Sequence, residues 1–369
     1  MRRRLAFILA LGLTLAACAT APGRKPTAGP PPTHPPASHT PTAPPHSERF
    51  ADLPGWPEED HAAAFDAFRA ACPAVRDPAL ATICRRAMTV ALLDGPLAKA
   101  FFEDNFTPQA LPGEGVLTAY FAPEYPARDK PDTEFSAPLR PKPADLVAAG
   151  GSVQRRDEAG HLAPYPDRAW IEARSTQDAL AWLRPEDLFF LQVQGSGVLT
   201  FADGHRQKAL YAAHNGQPFM GIANPMRDRG LLPAGGTSGE AIRTWLANHR
   251  GPEAQAIMRL NPRYGFFRLT ADDGLPPLGA AGTPLPAGRA IAVDLSRHSL
   301  GELYWIDAAA PLLTGAYPTY RRLVSALDTG GAIKGEIRAD LYLGQGPDAG
   351  LEAGRVRHTL RLHRLVPRP

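Results

Sequence analysis

The sequence predicts a mainly β protein preceded by a few helices, and three features point to that class. Beyond Gly113-Glu114-Gly115 the apolar segments become short, strand-like and punctuated by Gly and Pro, which favours β-barrels over an α/β sheet. Ahead of that point two segments, Glu58 to Ala71 and Pro78 to Leu93, read as short helices separated by Pro73 and Pro78. The 369 residues are 44% hydrophobic, enough for one large or two modest cores once an N-terminal segment is set aside.

That N-terminal segment reads as an export signal. Arg2, Arg3 and Arg4 precede an apolar run, Leu5 to Ala17. The run is too short to span a bilayer as a stable helix, which takes about 20 residues. Leu15-Ala16-Ala17-Cys18 resembles a bacterial lipobox, which implies cleavage after residue 17 and acylation of Cys18, hence a lipid anchor in the outer membrane facing the periplasm. Loss of residues 1–17 removes three arginines and no acid, so the formal charge of +3 falls to zero and gives no ground for a nucleic-acid partner. From Ala19 to about Ser47 the chain is Pro, Thr, Ala and His with almost no large apolar residue. Such a linker, residues 18–48, cannot form a core; as a polyproline spacer it reaches on the order of 90 Å and leaves the body free to meet other cell-wall enzymes.

With Cys18 lipidated, Cys72 and Cys84 remain. In an oxidising compartment they favour a disulfide that staples the two helices and contributes about 3 kcal/mol; two buried free thiols are the other reading.

Within the body, Phe189, Leu191 and Val193 alternate with Phe190, Gln192 and Gln194, which predicts a strand running through Gly195-Ser196-Gly197. Asp203-Gly204 predicts a hairpin turn before a strand over Gln207 to Ala213. Thr237 and Glu240 have capping-box spacing ahead of a helix with Ile242, Trp245, Leu246 and His249 on one face. A second short helix, Glu253 to Leu260, ends at Asn261-Pro262.

The chemistry concentrates near the C-terminus. Leu327-Asp328-Thr329-Gly330-Gly331-Ala332-Ile333-Lys334-Gly335 is followed by Arg338-Ala339-Asp340-Leu341-Tyr342, so two carboxylates lie twelve residues apart around glycines. Gly330 and Gly331 are expected to supply backbone angles that a Cβ would forbid. Alternation in the second strand puts Ala339, Leu341 and Leu343 on the core side and Arg338, Asp340 and Tyr342 on the other.

These residues resemble the C-terminal motif of the membrane-bound lytic murein transglycosylase A (MltA) family, with its three-aspartate (3D) module. The resemblance runs in order from about residue 113 to 350. Gly115 to Phe121 is similar to G-x-x-T-G-Y-Y, Leu188 to Gly197 to F-x-x-x-Q-G-S-G, and Asn215 to Phe219 to N-G-x-x-[YF]. Asn261 to Phe267 is similar to N-P-x-[YF]-x-F-F, and Ile291 to Asp294 to the strand carrying the first aspartate. Ala119 and Phe121 depart from the usual Gly and Tyr, and Leu295 to Gly301 from a Pro-containing turn.

The resemblance implies a double-psi β-barrel, residues 49–124 and 261–369, with a smaller inserted β-barrel, residues 125–260, and a groove for peptidoglycan glycan strands between them. It implies non-hydrolytic cleavage of the bond between N-acetylmuramic acid and N-acetylglucosamine, leaving a 1,6-anhydromuramoyl end. Asp340 would be the single acid and base, because the sugar's own C6 hydroxyl replaces water as nucleophile. Asp328 and Asp294 would orient or tune it, raising its proton affinity together with an apolar wall. Thr118, Tyr120, Gln194, Ser196, Gly197 and Asn215 would position glycan. No cofactor is indicated: the eleven histidines show no metal-ligand spacing and no phosphate-binding loop is present. Asp328-Thr329-Gly330 also matches an aspartic-peptidase signature, but no second copy exists in the chain to complete a dyad. A glycan-binding lipoprotein without turnover is the remaining alternative.

Overall fold

Aspartate side chains start each of the leading helices. Asp60, Asp77 and Asp94 accept hydrogen bonds from the backbone N–H of Ala63, Leu80 and Leu97, capping helices His61–Ala71, Pro78–Thr89 and Gly95–Asn105. The first two helices fall within the segments expected from sequence, although Glu58 lies in a separate 3₁₀ turn, Trp56–Glu58. The third was not foreseen. Cys72, just past the first helix, is joined to Cys84 in the second by a disulfide. Phe65, Phe68, Phe102 and Trp56 meet Trp305 and Leu303 of the main sheet in one buried cluster, and this aromatic layer holds the helices to the β region.

The computed structural model describes residues 46–91, 93–233, 238–313 and 316–368. The signal segment 1–17, Cys18, most of the linker and the capping residue Thr237 lie outside these residues.

The main sheet runs in the order His46–Ser47, Phe106–Ala110, Arg357–Pro367, Leu303–Pro311, Tyr320–Asp328, Ala290–Ala292, Arg338–Gln345, Gly115–Ala122. The last of these also pairs with Arg357–Pro367, so backbone hydrogen bonds run in a circuit through six strands. Two of its pairings are parallel: Arg338–Gln345 with Gly115–Ala122, and Ala290–Ala292 with Tyr320–Asp328. Leu117, Ile291, Ile306, Val324, Leu341 and Leu360 fill the interior. Leu341 therefore faces the core as alternation required. Tyr342, expected on the open side, is buried as well: Ala122, Leu285 and Leu327 cover it in a second apolar layer.

A smaller four-stranded sheet joins Gly265–Ala271, Arg206–His214, Ser196–Thr200 and Glu124–Pro126 in that order. Its Gly265–Ala271 strand carries this sheet past residue 260. The hairpin between Ser196–Thr200 and Arg206–His214 turns at Asp203-Gly204, with Gly204 at φ 89°. Helix Gly239–Asn248 buries Ile242 and Leu246 as expected, and Ser238 caps it by accepting from the Ala241 N–H.

One expectation fails here. Leu188 to Gln194 belongs to a helix, Pro185–Gln194, not to a strand. Pro185 at its first turn, Glu186 and Asp187 beside the helix N-terminus, and Gly195 in the left-handed conformation at its end are helix signals that outweighed two-residue alternation. Only Ser196–Thr200 is strand.

Replacing Cys72 and Cys84 together by alanine should lower the unfolding free energy by about 3 kcal/mol in urea denaturation. A loss under about 1 kcal/mol would mean that the aromatic layer alone holds the helical hairpin.

Candidate active site

Strand register builds the centre of the site. Asp340 lies opposite Thr118 on one side and Ala292 on the other, and Ala292 lies opposite Asp328. The row Thr118, Asp340, Ala292, Asp328 thus crosses four neighbouring strands. With strands about 4.8 Å apart, the backbones of the two aspartates are about 10 Å apart. The register shifts between Ile291 and Ala292, so the Tyr320–Asp328 strand spends one extra residue there, and this bulge brings Asp328 rather than Leu327 opposite Ala292.

Side-chain hydrogen bonds then fix each group. Arg338 donates to the Thr118 hydroxyl oxygen at 2.8 Å, and Thr118 donates its own proton to Asp340 Oδ1. Arg338 precedes Asp340 by two residues and shares its strand face, so the R-x-D spacing carried this signal. Tyr120 donates to Asp328 Oδ2 at 2.7 Å, and the Ala280 backbone N–H donates to Asp328 Oδ1 at 3.0 Å. The Tyr120 ring packs against Tyr342, with centroids 5.3 Å apart.

Burial dominates the electrostatics. Part of Asp340 reaches solvent, but its carboxyl is desolvated enough to push its pKa above the ordinary 3.8; Asp328 adds to the rise, while Thr118 and Arg338 oppose it. Desolvation also raises Asp328, against the hydrogen bonds from Tyr120 and Ala280. Tyr120 is pushed well above its usual range, first by burial and then by Asp328.

Asp294 behaves differently. It accepts from the Gly335 backbone N–H at 2.8 Å and from the Ser296 N–H and hydroxyl, and these bonds hold its pKa down to about 2. It pins the loop between Asp328 and Asp340, and the carboxylate whose charge raises Asp340 is Asp328. Within the loop, Gly335 takes φ 109°, whereas Gly330 and Gly331 keep ordinary angles. Gly331 is instead a close-approach position: a Cβ there would sit 3.3 Å from the guanidinium carbon of Arg263.

The residues expected to position glycan divide into groups. Thr118 and Tyr120 are in the site, with their hydroxyls committed to Asp340 and Asp328. Gln194 closes its helix and accepts from the Phe121 N–H at 3.2 Å, linking the smaller sheet's helix to the strand bearing Thr118. Ser196 is half-buried at the start of its strand. Gly197 is a packing residue: a Cβ would lie 2.7 Å from the Pro123 carbonyl oxygen and 2.8 Å from Leu191. Asn215 is buried and fully used, donating to the Pro166 and Pro262 carbonyls and accepting from the Tyr264 N–H. In this structure Gly197 has no side chain to offer and the Asn215 amide is spent inside the fold, so both act as packing supports. Among the described residues no three metal-ligating side chains gather.

Residues 116–268 match the MltA specific insert domain, and residues 289–366 match the 3D domain. The fold and site therefore define a 3D-domain protein with an MltA insert. A membrane-bound lytic murein transglycosylase A of Vibrio cholerae is 32% identical over 69% of this chain and 66% of its own length; that of Escherichia coli K12 is 33% identical over 70% and 67%. A membrane-bound lytic murein transglycosylase structure from Agrobacterium tumefaciens superposes with a TM-score of 0.77 at 33% identity, covering 88% of this chain and 97% of that one. The structure of E. coli MltA with bound chitohexaose superposes at 0.65 and 26% identity, covering 84% and 90%. The chain belongs to the MltA family of lytic transglycosylases.

A carboxyl whose pKa is higher folded than unfolded opposes folding above its folded pKa and has no effect below about 3.8, where both states hold the proton. Asp340→Asn should therefore raise the thermal midpoint at pH 7 to 8 by about 2–4 °C, an advantage that shrinks as pH falls toward 4. A pH-independent difference would show that Asp340 titrates alike in both states.

Proposed function

We propose that the protein cleaves the β-1,4 bond between N-acetylmuramic acid and N-acetylglucosamine in peptidoglycan and leaves a 1,6-anhydromuramoyl end, with Asp340 as the single acid and base. The observation that carries this reading is the environment of Asp340: a desolvated carboxyl with raised proton affinity, held by Thr118, on a residue that is itself only half-buried. The names of the relatives and the chitohexaose bound to one of them support a glycan strand as substrate.

Protonated Asp340 gives its proton to the glycosidic oxygen as the C1–O bond breaks. The resulting carboxylate takes the proton of the C6 hydroxyl as that oxygen bonds to C1, so the enzyme regains its starting state and no water is consumed. The Thr118 hydrogen bond and the Arg338 charge favour the carboxylate while burial favours the acid, so opposing effects act on the two forms. Tyr120 and Ala280 hold Asp328 as the neighbouring charge. An aspartic-peptidase reading is not favoured, because the two carboxylates bond to Thr118 and Tyr120 and not to each other.

The six-strand circuit with its two parallel pairings supports assignment of the large part to a double-psi β-barrel, with the smaller sheets as the inserted barrel and the glycan groove between them. Removal of residues 1–17 and acylation of Cys18 would place the enzyme on the outer membrane facing the periplasm, with the linker giving it reach to glycan strands and to other cell-wall enzymes.

Incubation with purified peptidoglycan should release muropeptides lighter by one water than hydrolysis products. Asp340→Asn and Asp340→Ala should lower that rate by about 10³-fold or more while leaving glycan binding within a fewfold of the parent. Retention of substantial turnover by either variant would remove Asp340 from the role.

A further inference from the structure

Arg263 enters the strand Gly265–Ala271 beside the catalytic loop, and its guanidinium packs on the backbone of Gly331, three residues past Asp328. It donates to the Gln217 carbonyl at 3.2 Å, and among the described residues no carboxylate pairs with it. Other arginines in this part of the chain are paired: Arg140 with Asp178, Arg206 with Asp272, Arg243 with Asp187, Arg250 with Glu186. Burial works against the Arg263 charge, and only the phenol of Tyr211 offsets that. A half-buried cation held this way lacks the counter-charge that such groups ordinarily require.

Its neighbours are donors too. His214 Nδ1 accepts the Gly216 N–H at 2.8 Å, so the neutral ring carries its proton on Nε2. Burial and Arg263 lower the pKa of that ring to about 4, so it stays neutral near pH 7. Tyr211 is 44% exposed and interacts with Arg263. The patch therefore offers a guanidinium fork, a phenol and an imidazole N–H with a single positive charge.

We infer that Arg263, Tyr211 and His214 bind a carboxylate on the branch of the glycan strand, either the lactyl carboxylate of a peptide-free muramoyl residue or a carboxylate of its peptide stem. The inference rests on the substrate class proposed above and adds the group that distinguishes muramoyl from plain N-acetylglucosamine chains. A planar guanidinium fork matches a carboxylate with two parallel bonds, which a lysine at this position would not reproduce.

Binding can be measured by calorimetry in the Asp340→Asn protein, which spares the ligand, with three glycans: chitohexaose, peptide-free muramoyl strands and peptide-bearing strands. Arg263→Gln should weaken one or both muramoyl ligands about tenfold or more and leave chitohexaose unchanged. Arg263→Lys should fall between, and it decides the matter should the glutamine variant lose its thermal midpoint. A loss confined to peptide-free strands identifies the lactyl group, and one confined to peptide-bearing strands identifies the stem. Unchanged affinity for both muramoyl ligands, or an equal loss for chitohexaose by a folded variant, overturns the inference. Product analysis with the Asp340-containing chain separates the two claims: binding that depends on Arg263 without anhydro products refutes the proposed reaction and leaves the carboxylate site standing.

Discussion

A carboxyl group in the middle of a strand row has only its cross-strand neighbours to replace water, and the site depends on what those neighbours are. Asp340 has Thr118 on one side, a small hydroxyl that can donate to it, and Ala292 on the other, which adds no polar group. The donor keeps the ionised form accessible and the missing water keeps the neutral form competitive. Burial and donors set the balance together: Asp328 is still raised by desolvation although Tyr120 and Ala280 donate to it, whereas three bonds from Gly335 and Ser296 hold Asp294 as a carboxylate.

The rest of the architecture serves that row. Parallel pairing of Arg338–Gln345 with Gly115–Ala122 joins residues more than two hundred positions apart, and the bulge opposite Ala292 sets Asp328 within electrostatic reach. Asp294 ties down the intervening loop through Gly335, and the second apolar layer around Tyr342 and Leu327 excludes water from beneath it. The helical N-terminal part and its disulfide brace the far side of the same sheet through Trp305. Gly197 lets the smaller sheet approach Pro123, just past the strand bearing Tyr120, and Asn215 ties together the Pro166, Pro262 and Tyr264 backbones.

Much of this was legible in sequence wherever spacing alone set the outcome. Alternation around Asp340 placed Leu341 inside, and the R-x-D spacing put Arg338 on the face of Asp340. Alternation said nothing about a second layer, so Tyr342 was misplaced. It also misread Leu188 to Gln194, where five apolar residues suit both periods and only the proline, the acidic first turn and Gly195 distinguish them. Gly331 was read for its backbone freedom, but its value is the room it gives Arg263, a contact between segments distant in sequence. For the same reason Asn215 was read as a glycan-positioning residue, and its burial among the Pro166, Pro262 and Tyr264 backbone groups was not legible.

The most direct test of the account is the proton affinity of Asp340 itself, followed by carbon-detected NMR titration of its side-chain carboxyl in the chain with and without Asp328→Asn. The account predicts a midpoint clearly above 3.8 that falls when the neighbouring charge is removed. A midpoint at or below 3.8, insensitive to Asp328, would contradict it.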